Sequence, residues 1–137
     1  MIETSALVDA ARKVRLNAHA PYSGFKVGAA LQTPEGRIIT GCNVENATYG
    51  LTICAERVAI VKAISEGERR FSRIAVVADT NAPTPPCGAC RQILWEFGGD
   101  LEIISANLRE VLGVYHMADL LPLPFDRRLL GISEPDA

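Results

Sequence analysis

The sequence predicts an α/β fold, a three-layer α/β/α sandwich built on a mixed sheet of about five strands. Short apolar segments typical of strands alternate along the chain with longer segments of helical periodicity. An early pair of strands joined by a tight turn precedes two strand–helix units, so the sheet contains antiparallel and parallel pairs. With 137 residues, 48% of them hydrophobic, the chain can bury one core, and we expect a single domain over residues 1–137.

The first third of the chain predicts one helix and one hairpin. A helix capped by Thr4 or Ser5 ends before Pro21. Its apolar residues recur on one face, and they are Leu7, Val8, Ala11, Val14 and Ala18. Strands over 25–33 and 37–43 follow, and the Pro-Glu-Gly segment between them favours a tight turn.

Helices and strands alternate in the rest of the chain. Apolar periodicity predicts one helix that begins at Cys54 and ends at Gly67, and another that begins at Cys87 after two prolines. The apolar segments 73–79 and 101–105 predict buried strands, one before and one after the second helix. We expect crossover helices on both faces of the sheet, with the N-termini of these two helices at one edge, where loops after strand ends commonly form sites.

Three cysteines and one glutamate stand at the starts of these two helices. Cys54 and Glu56 belong to Thr-Ile-Cys-Ala-Glu-Arg, and Cys87 and Cys90 belong to Pro-Cys-Gly-Ala-Cys-Arg. Cysteines at i and i+3 can bind one metal ion from a single helical turn, and helix N-termini favour thiolates. Three protein ligands leave the fourth position of a tetrahedral zinc site for water, and Glu56 remains free to carry protons. The pattern predicts a catalytic site with one Zn²⁺ per chain.

The predicted ligand set carries excess negative charge, because three thiolates outweigh the charge of a divalent ion. Arg57 lies three residues after Cys54 and therefore on the same helical face. We expect Arg57 to donate hydrogen bonds to the thiolates and to withdraw charge from them. Arg91, beside Cys90, is a weaker candidate for this role. Cys42, in the second strand, is expected to be a small core residue rather than a ligand.

These residues resemble the zinc-dependent cytidine deaminases of the short-chain, homotetrameric type. The likeness rests on Cys-Ala-Glu at 54–56 and on Pro-Cys-x-x-Cys at 86–90. It continues over three further segments, namely 25–30, 41–47 and 120–125. The resemblance covers residues 21–125 and implies the cytidine deaminase-like fold. Asp126-Arg127 is a departure, because many members of the family have Gly-Pro there.

The resemblance also implies the reaction. Cytidine and deoxycytidine would be hydrolysed to uridine and deoxyuridine with release of ammonia, as in pyrimidine salvage. A zinc-activated water would attack C4 of the cytosine ring. Glu56 would serve as the catalytic acid and base at each proton transfer.

Roles for five further residues follow from the same resemblance. Asn43 and Glu45 would hydrogen-bond the ribose hydroxyls, and Phe25 would flank the base and the sugar. Ala55 would offer a backbone group to the edge of the pyrimidine. Phe125 would complete the pocket of a neighbouring subunit, which implies a homotetramer.

Charge and cysteine content narrow the partners and the compartment. The chain has 14 basic and 16 acidic residues and a formal net charge of -2, so no electrostatic field attracts nucleic acid or a membrane surface. We therefore expect a small-molecule substrate. Four cysteines without an N-terminal apolar signal segment predict a reducing compartment, the cytoplasm.

Two other functions remain open on the sequence alone. A closed site made of all four cysteines, with Cys42 included, would form a structural zinc module without a catalytic water. Alternatively, a deaminase of the same build would act on another aminopyrimidine nucleoside, because these motifs reach the amine-bearing carbon and say little about the sugar.

Overall fold

The computed structural model describes residues 3–132, which form one mixed sheet of five strands in the order β2-β1-β3-β4-β5. The strands are β1 (Val27–Gln32), β2 (Ile38–Cys42), β3 (Arg73–Ala78), β4 (Glu102–Ala106) and β5 (Val111–His116). The helices are α1 (Thr4–Arg15), α2 (Ala55–Ser65), α3 (Gly88–Gly98) and α4 (Met117–Leu120). Two short 3₁₀ turns are also present, at Tyr49–Leu51 and Arg127–Leu130.

The pairing of the strands confirms the predicted mixed sheet. β1 pairs antiparallel with both β2 and β3, whereas β3 and β4 are parallel. β5 pairs antiparallel with β4 at the edge of the sheet, and the sequence did not identify it as a separate strand. Its residues are exposed or half-buried, because an edge strand covered on few sides needs no continuous apolar segment.

Helices cover both faces of the sheet and complete the three predicted layers. α1 packs Leu7, Val8 and Ala11 against β1 and β3 on one face. α2 and α3 share the core on the other face, where Ile60 and Leu94 are fully buried. Both crossover helices therefore lie on one face, rather than on both as expected. Because they lie side by side, their N-termini are neighbours.

The ends of α1 differ from the prediction. Thr4 is the first helical residue rather than the cap, and Glu3 precedes it without a capping hydrogen bond. The Thr4 hydroxyl instead accepts a hydrogen bond of 2.8 Å from Arg73 of β3. The helix ends at Arg15, well before Pro21, and the chain then forms a bridge between His19 and Val44.

Candidate active site

The three predicted metal ligands come together at the N-termini of α2 and α3. Cys54 precedes α2 as its N-cap, Cys87 precedes α3 in the same way, and Cys90 lies in the first turn of α3. The Sγ atom of Cys87 is 3.3 Å from that of Cys90 and 3.9 Å from that of Cys54, and all three lie within 4.8 Å of one another. Sulfur atoms in a tetrahedral zinc site, with Zn–S near 2.3 Å, are about 3.8 Å apart. The thiol cluster therefore fits a zinc ion.

Arg57 contacts this cluster as predicted. Its Nη2 atom donates to Sγ of Cys54 at 3.6 Å and to the Thr52 carbonyl at 3.1 Å. Hydrogen bonds from the Cys90 thiol and from Arg57 lower the pKa of Cys54. The same contact with Cys54, together with burial, raises the pKa of Cys90. Arg57 is thus placed to stabilise the first thiolate that forms.

Cys42 and Arg91 lie outside the thiol cluster. Gly41 faces α2, and because side chains alternate along a strand, Cys42 is directed to the opposite face of the sheet. A closed four-cysteine site is therefore not formed. The Arg91 guanidinium donates to the backbone carbonyls of Pro86 and Leu120, at 2.7 and 3.0 Å, rather than to the thiols.

Glu56 lies two residues after Cys54 in the first turn of α2, and only 5% of the residue is exposed. Burial, and to a lesser degree the charge of Cys54, raises the pKa of its carboxyl to about 7. A carboxyl with a pKa near the operating pH can both accept and release a proton. Glu56 is not part of the sulfur cluster, so its oxygens remain available for such transfers.

Asn43 ties the end of β2 to the segment that leads into β1. Its Oδ1 atom accepts from the Val27 N–H at 2.8 Å, and its Nδ2 atom donates to the Phe25 carbonyl at 2.8 Å. These contacts leave the amide one lone pair and one N–H for a ligand. The Phe25 residue itself is 43% exposed.

Glu45 lines an open cleft of about 360 Å³. Four residues that the sequence analysis did not single out line it as well, namely Tyr22, Ser23, Tyr49 and Thr52. The Glu45 carboxylate accepts from the backbone N–H groups of Tyr22 and Ser23 and from the Ser23 hydroxyl, and these bonds, above all that hydroxyl, lower its pKa. No periodicity or spacing marks these loop residues in the sequence.

The cleft adjoins the thiol cluster. Val44, next to Glu45, pairs with Ile53, the residue before Cys54. In addition, the Arg57 guanidinium that contacts Cys54 also donates to the carbonyl of cleft residue Thr52. The candidate ribose-binding and metal-binding groups are therefore neighbours within one chain.

Ala55 and Phe125 differ in their surroundings. The Ala55 side chain is fully buried in the core, so only its backbone is suited to contact a ligand. Phe125 is 59% exposed on the segment that follows α4 and is not among the residues that line the cleft of its own chain. The described structure leaves this ring open to other molecules.

Comparisons with known proteins agree with the geometry. Residues 1–105 match the family described as the cytidine and deoxycytidylate deaminase zinc-binding region. The chain belongs to this family. Its three clustered cysteines are positioned to bind a metal ion, and together with the match to a zinc-binding region they confirm the predicted zinc cofactor.

Relatives of the chain match over most of its length. Cytidine deaminase of Sporosarcina psychrophila is 45% identical over 133 residues, which span 96% of this chain and 98% of that protein. The crystal structure of cytidine deaminase from Burkholderia pseudomallei has a TM-score of 0.88 at 49% identity, and the match covers 90% of this chain and 100% of that one. Blasticidin-S deaminase of Bacillus cereus is 29% identical over 109 residues, 74% of this chain and 77% of that protein. Among residues 3–132, no helix has the length and apolar character needed to cross a bilayer.

Gly41 sets how closely α2 approaches the sheet. A Cβ at this position would lie 2.5 Å from the backbone N of Ala59 and 2.7 Å from the carbonyl O of Ala55. Backbone atoms cannot rotate away, so a side chain here would force the first turn of α2 outward. That turn follows Cys54 and carries Glu56.

We expect Gly41→Ala to lower both zinc affinity and turnover. Metal ligands tolerate displacements of only about 0.2 Å, and a shift of about 1 Å in a catalytic group can cost about 100-fold in rate. Gly28→Ala is the matched control, because its Cβ would clash with Ala11 and Arg15 of α1 and should cost stability without disturbing the thiols. Thermal unfolding, zinc content and kcat should be measured for both variants. An equal loss of kcat in the two would contradict this account.

Asp126 anchors the C-terminal segment. Its carboxylate accepts from Trp95 Nε1 at 2.9 Å and pairs with Arg128 at 2.7 Å. The hydrogen bonds from Arg128 and Trp95 hold the pKa of Asp126 well below its usual range.

We expect Asp126→Asn to be less stable than the parent protein at pH 7 and the difference to shrink in acid. A carboxyl whose pKa is lower in the folded state adds stability above its ordinary pKa of about 4, and this contribution is lost as the pH falls toward the folded value. Thermal unfolding at pH 7 and below pH 4 measures the difference. Asp9→Asn is the control, since Asp9 forms an exposed pair with Arg12. A difference that does not change with pH would argue against the ionised carboxylate as its source.

Proposed function

We propose that this chain catalyses the zinc-dependent hydrolytic deamination of cytidine and deoxycytidine to uridine and deoxyuridine, with release of ammonia. The observation that carries this proposal is the cluster of three thiols beside a buried glutamate that is not a ligand. Relatives and structural neighbours named cytidine deaminase support the same reaction. We also infer that the enzyme serves pyrimidine salvage.

Cys54, Cys87 and Cys90 would hold one zinc ion per chain. When bound, the ion acts as a Lewis acid that turns a water molecule into a nucleophile near neutral pH. The rest of the catalytic work falls to the side chains around it.

Glu56 would carry the protons. Its carboxylate takes a proton from the attacking water and gives it to N3 of the cytosine ring, which makes C4 more electrophilic. The carboxylate then takes the proton of the new hydroxyl group at C4 and gives it to the amine at C4, so that the C–N bond breaks, the C4 carbonyl forms and ammonia leaves. The burial of Glu56 supports this role, because it raises the pKa of the carboxyl to about 7. At neutral pH the carboxyl can then gain and lose a proton with nearly equal ease.

The substrate would be held from two sides. The free amide atoms of Asn43 and the carboxylate of Glu45 would bind the ribose hydroxyls, and the exposed Phe25 ring would flank the base and the sugar. The Ala55 backbone would contact the pyrimidine edge. Phe125 would complete the pocket of a neighbouring subunit, which its exposure supports.

Assembly and location are also part of the proposal. We infer a single-domain, cytoplasmic enzyme that forms a homotetramer and binds neither nucleic acid nor membranes. Exposed apolar side chains on the C-terminal segment, such as Leu123, Phe125 and Leu129, support subunit contacts. Four unpaired cysteines support a reducing compartment.

We expect Arg57→Ala to lower turnover while zinc content stays near one ion per chain. Without the guanidinium, the thiolates would keep more charge and a zinc ion held by them would activate water less well, so the acidic limb of the pH–rate profile should move to higher pH. Arg57→Lys should restore only part of the activity, because an ammonium keeps the charge but lacks the planar guanidinium group, which can donate to two acceptors at once. An equal loss of turnover at every pH, with the acidic limb of the pH–rate profile unchanged, would indicate a packing defect instead.

A second candidate substrate is another aminopyrimidine nucleoside. The observation that favours it is the relative named blasticidin-S deaminase. The thiol cluster and Glu56 would perform the same chemistry on either substrate, so the cleft around Glu45 would decide between them.

An ultraviolet assay of the zinc-loaded protein tests the proposal. Cytidine, deoxycytidine, cytosine and blasticidin S should be compared at equal concentration. We expect both nucleosides to be deaminated and the free base to react poorly, because it lacks the sugar. Turnover of blasticidin S alone would favour the second candidate, and no turnover of any compound by zinc-loaded protein would overturn both.

A further inference from the structure

Arg91 joins two parts of the chain that the proposed mechanism treats separately. Its Nε atom donates to the Pro86 carbonyl at 2.7 Å, and its Nη1 atom donates to the Leu120 carbonyl at 3.0 Å. Pro86 directly precedes the ligand Cys87. Leu120 ends α4 and leads into the segment that carries Phe125.

The loop before Cys87 depends on side chains for its shape. It contains Pro83, Pro85 and Pro86, which have no backbone N–H to donate. The Thr84 N–H donates to the Ser105 hydroxyl, and Arg91 binds the Pro86 carbonyl. Cys87 is exposed, so little packing fixes its position. The Arg91 backbone N–H donates to the Cys87 carbonyl at 2.9 Å, and the Arg91 guanidinium adds a side-chain hydrogen bond that holds the preceding residue, Pro86.

Further side chains of α3 hold the other partner of Arg91, the segment after α4. Gln92 donates to the Phe125 carbonyl, Trp95 donates to Asp126, and Glu96 pairs with Arg127 at 2.6 Å. Residues three and four apart lie on the same side of a helix, so these contacts form one row. The helix that supplies two of the three zinc ligands also carries the Phe125 segment along its side.

We propose that Arg91 is a positioning residue that ties the turn carrying Cys87 to the Phe125 segment, so that the two hold a fixed position relative to each other. The inference rests on the proposed zinc site. Arginine suits this role because its planar guanidinium donates to two carbonyls at once. A lysine ammonium can replace the charge but lacks the planar arrangement of N–H groups that reaches both carbonyls.

The rate of zinc release into a chromogenic chelator tests the first half of the proposal without measuring activity. Zinc-loaded parent protein, Arg91→Ala and Arg91→Lys should be compared at pH 7. We expect release from Arg91→Ala to be about 10- to 100-fold faster, as is typical when a group that orients a metal ligand is removed, and release from Arg91→Lys to be intermediate.

Arg69→Ala is the matched control. Its Nη1 atom donates to the carbonyls of Ile64 and Glu68, the same chemistry beyond the far end of α2. We expect its zinc release to match that of the parent protein. Circular dichroism verifies the fold of each variant, and Arg91→Lys carries the test if Arg91→Ala does not fold.

Trp95 reports the second half of the proposal, because it is the one tryptophan of the chain and hydrogen-bonds Asp126. We expect acrylamide to quench its fluorescence more strongly in Arg91→Ala than in the parent protein or in Arg69→Ala. Parent-like zinc release from Arg91→Ala would overturn the proposal. Faster release with unchanged quenching would overturn the coupling to the Phe125 segment. A parent protein that binds no zinc would instead reject the proposed function.

Discussion

Glu56→Gln is expected to keep the zinc ion and the fold and to lose most of the turnover, on the order of 10²- to 10⁴-fold in kcat. Glutamine has the size of glutamate, so the buried position next to Ala55 remains filled. An amide cannot accept the proton of the attacking water or pass it to the cytosine ring, however, so each proton transfer loses its carrier. The decisive measurements are zinc content and kcat for cytidine on the same preparation.

A matched control exists at the other end of α2. Glu66 is the C-cap of that helix and forms a surface ion pair with Arg37. Glu66→Gln makes the same chemical change away from the thiols, and we expect it to retain nearly full turnover. Near-normal activity of Glu56→Gln would contradict the proposed mechanism, and equal losses in both variants would point to a general effect on α2.

The second large effect is expected at the cysteines, where alanine substitutions should fall into two classes. Cys54→Ala should lose zinc or bind it far more weakly, because two remaining thiolates cannot complete the set of three ligands, and Cys87 and Cys90 should behave alike. Cys42→Ala should retain about one zinc ion per chain and substantial activity, since Cys42 is directed to the opposite face of the sheet. Metal analysis after gel filtration, together with the deamination rate, separates the classes.

The cysteine series also tests the structural zinc module. A closed site with four cysteines requires Cys42 and has no use for Glu56. Loss of zinc from folded Cys42→Ala would favour that alternative, whereas zinc retained by Cys42→Ala but lost from Cys54→Ala would exclude it.

Local patterns predicted α1, α2, α3 and the hairpin correctly, and they singled out the three cysteines that the structure brings together, but they did not predict α4. Cys54 and Cys87 each precede the first residue of a helix, as the apolar periodicity after them indicated. The ends of elements were less well predicted. α1 ends at Arg15 although its apolar pattern continues to Ala18. The backbone leaves the helical conformation there, and His19 pairs with Val44 in a β-bridge. β5 was not predicted, because an edge strand carries no continuous apolar segment.

Arg57 and Arg91 show where sequence reasoning about the site reaches its limit. Both follow a cysteine ligand closely, and the sequence ranked them only by their spacing. Arg57 does contact Cys54, because residues three apart on a helix are neighbours. Arg91 instead hydrogen-bonds the carbonyl of Leu120, 29 residues away along the chain, and no local sequence pattern predicts such a contact.

The sequence by itself determined the family and the cluster of cysteine donors, and it singled out Glu56 as the proposed proton carrier, because the spacing of Cys54 with Glu56 and of Cys87 with Cys90 is a property of single helical turns. Only the tertiary structure decided that both helices lie on one face, that Gly41 admits α2 so closely, and that Glu45 lies beside Ser23. These features join residues distant in the chain. They arise when helices and strands pack against one another, and neither the periodicity nor the residue spacing within one helix or strand predicts that packing.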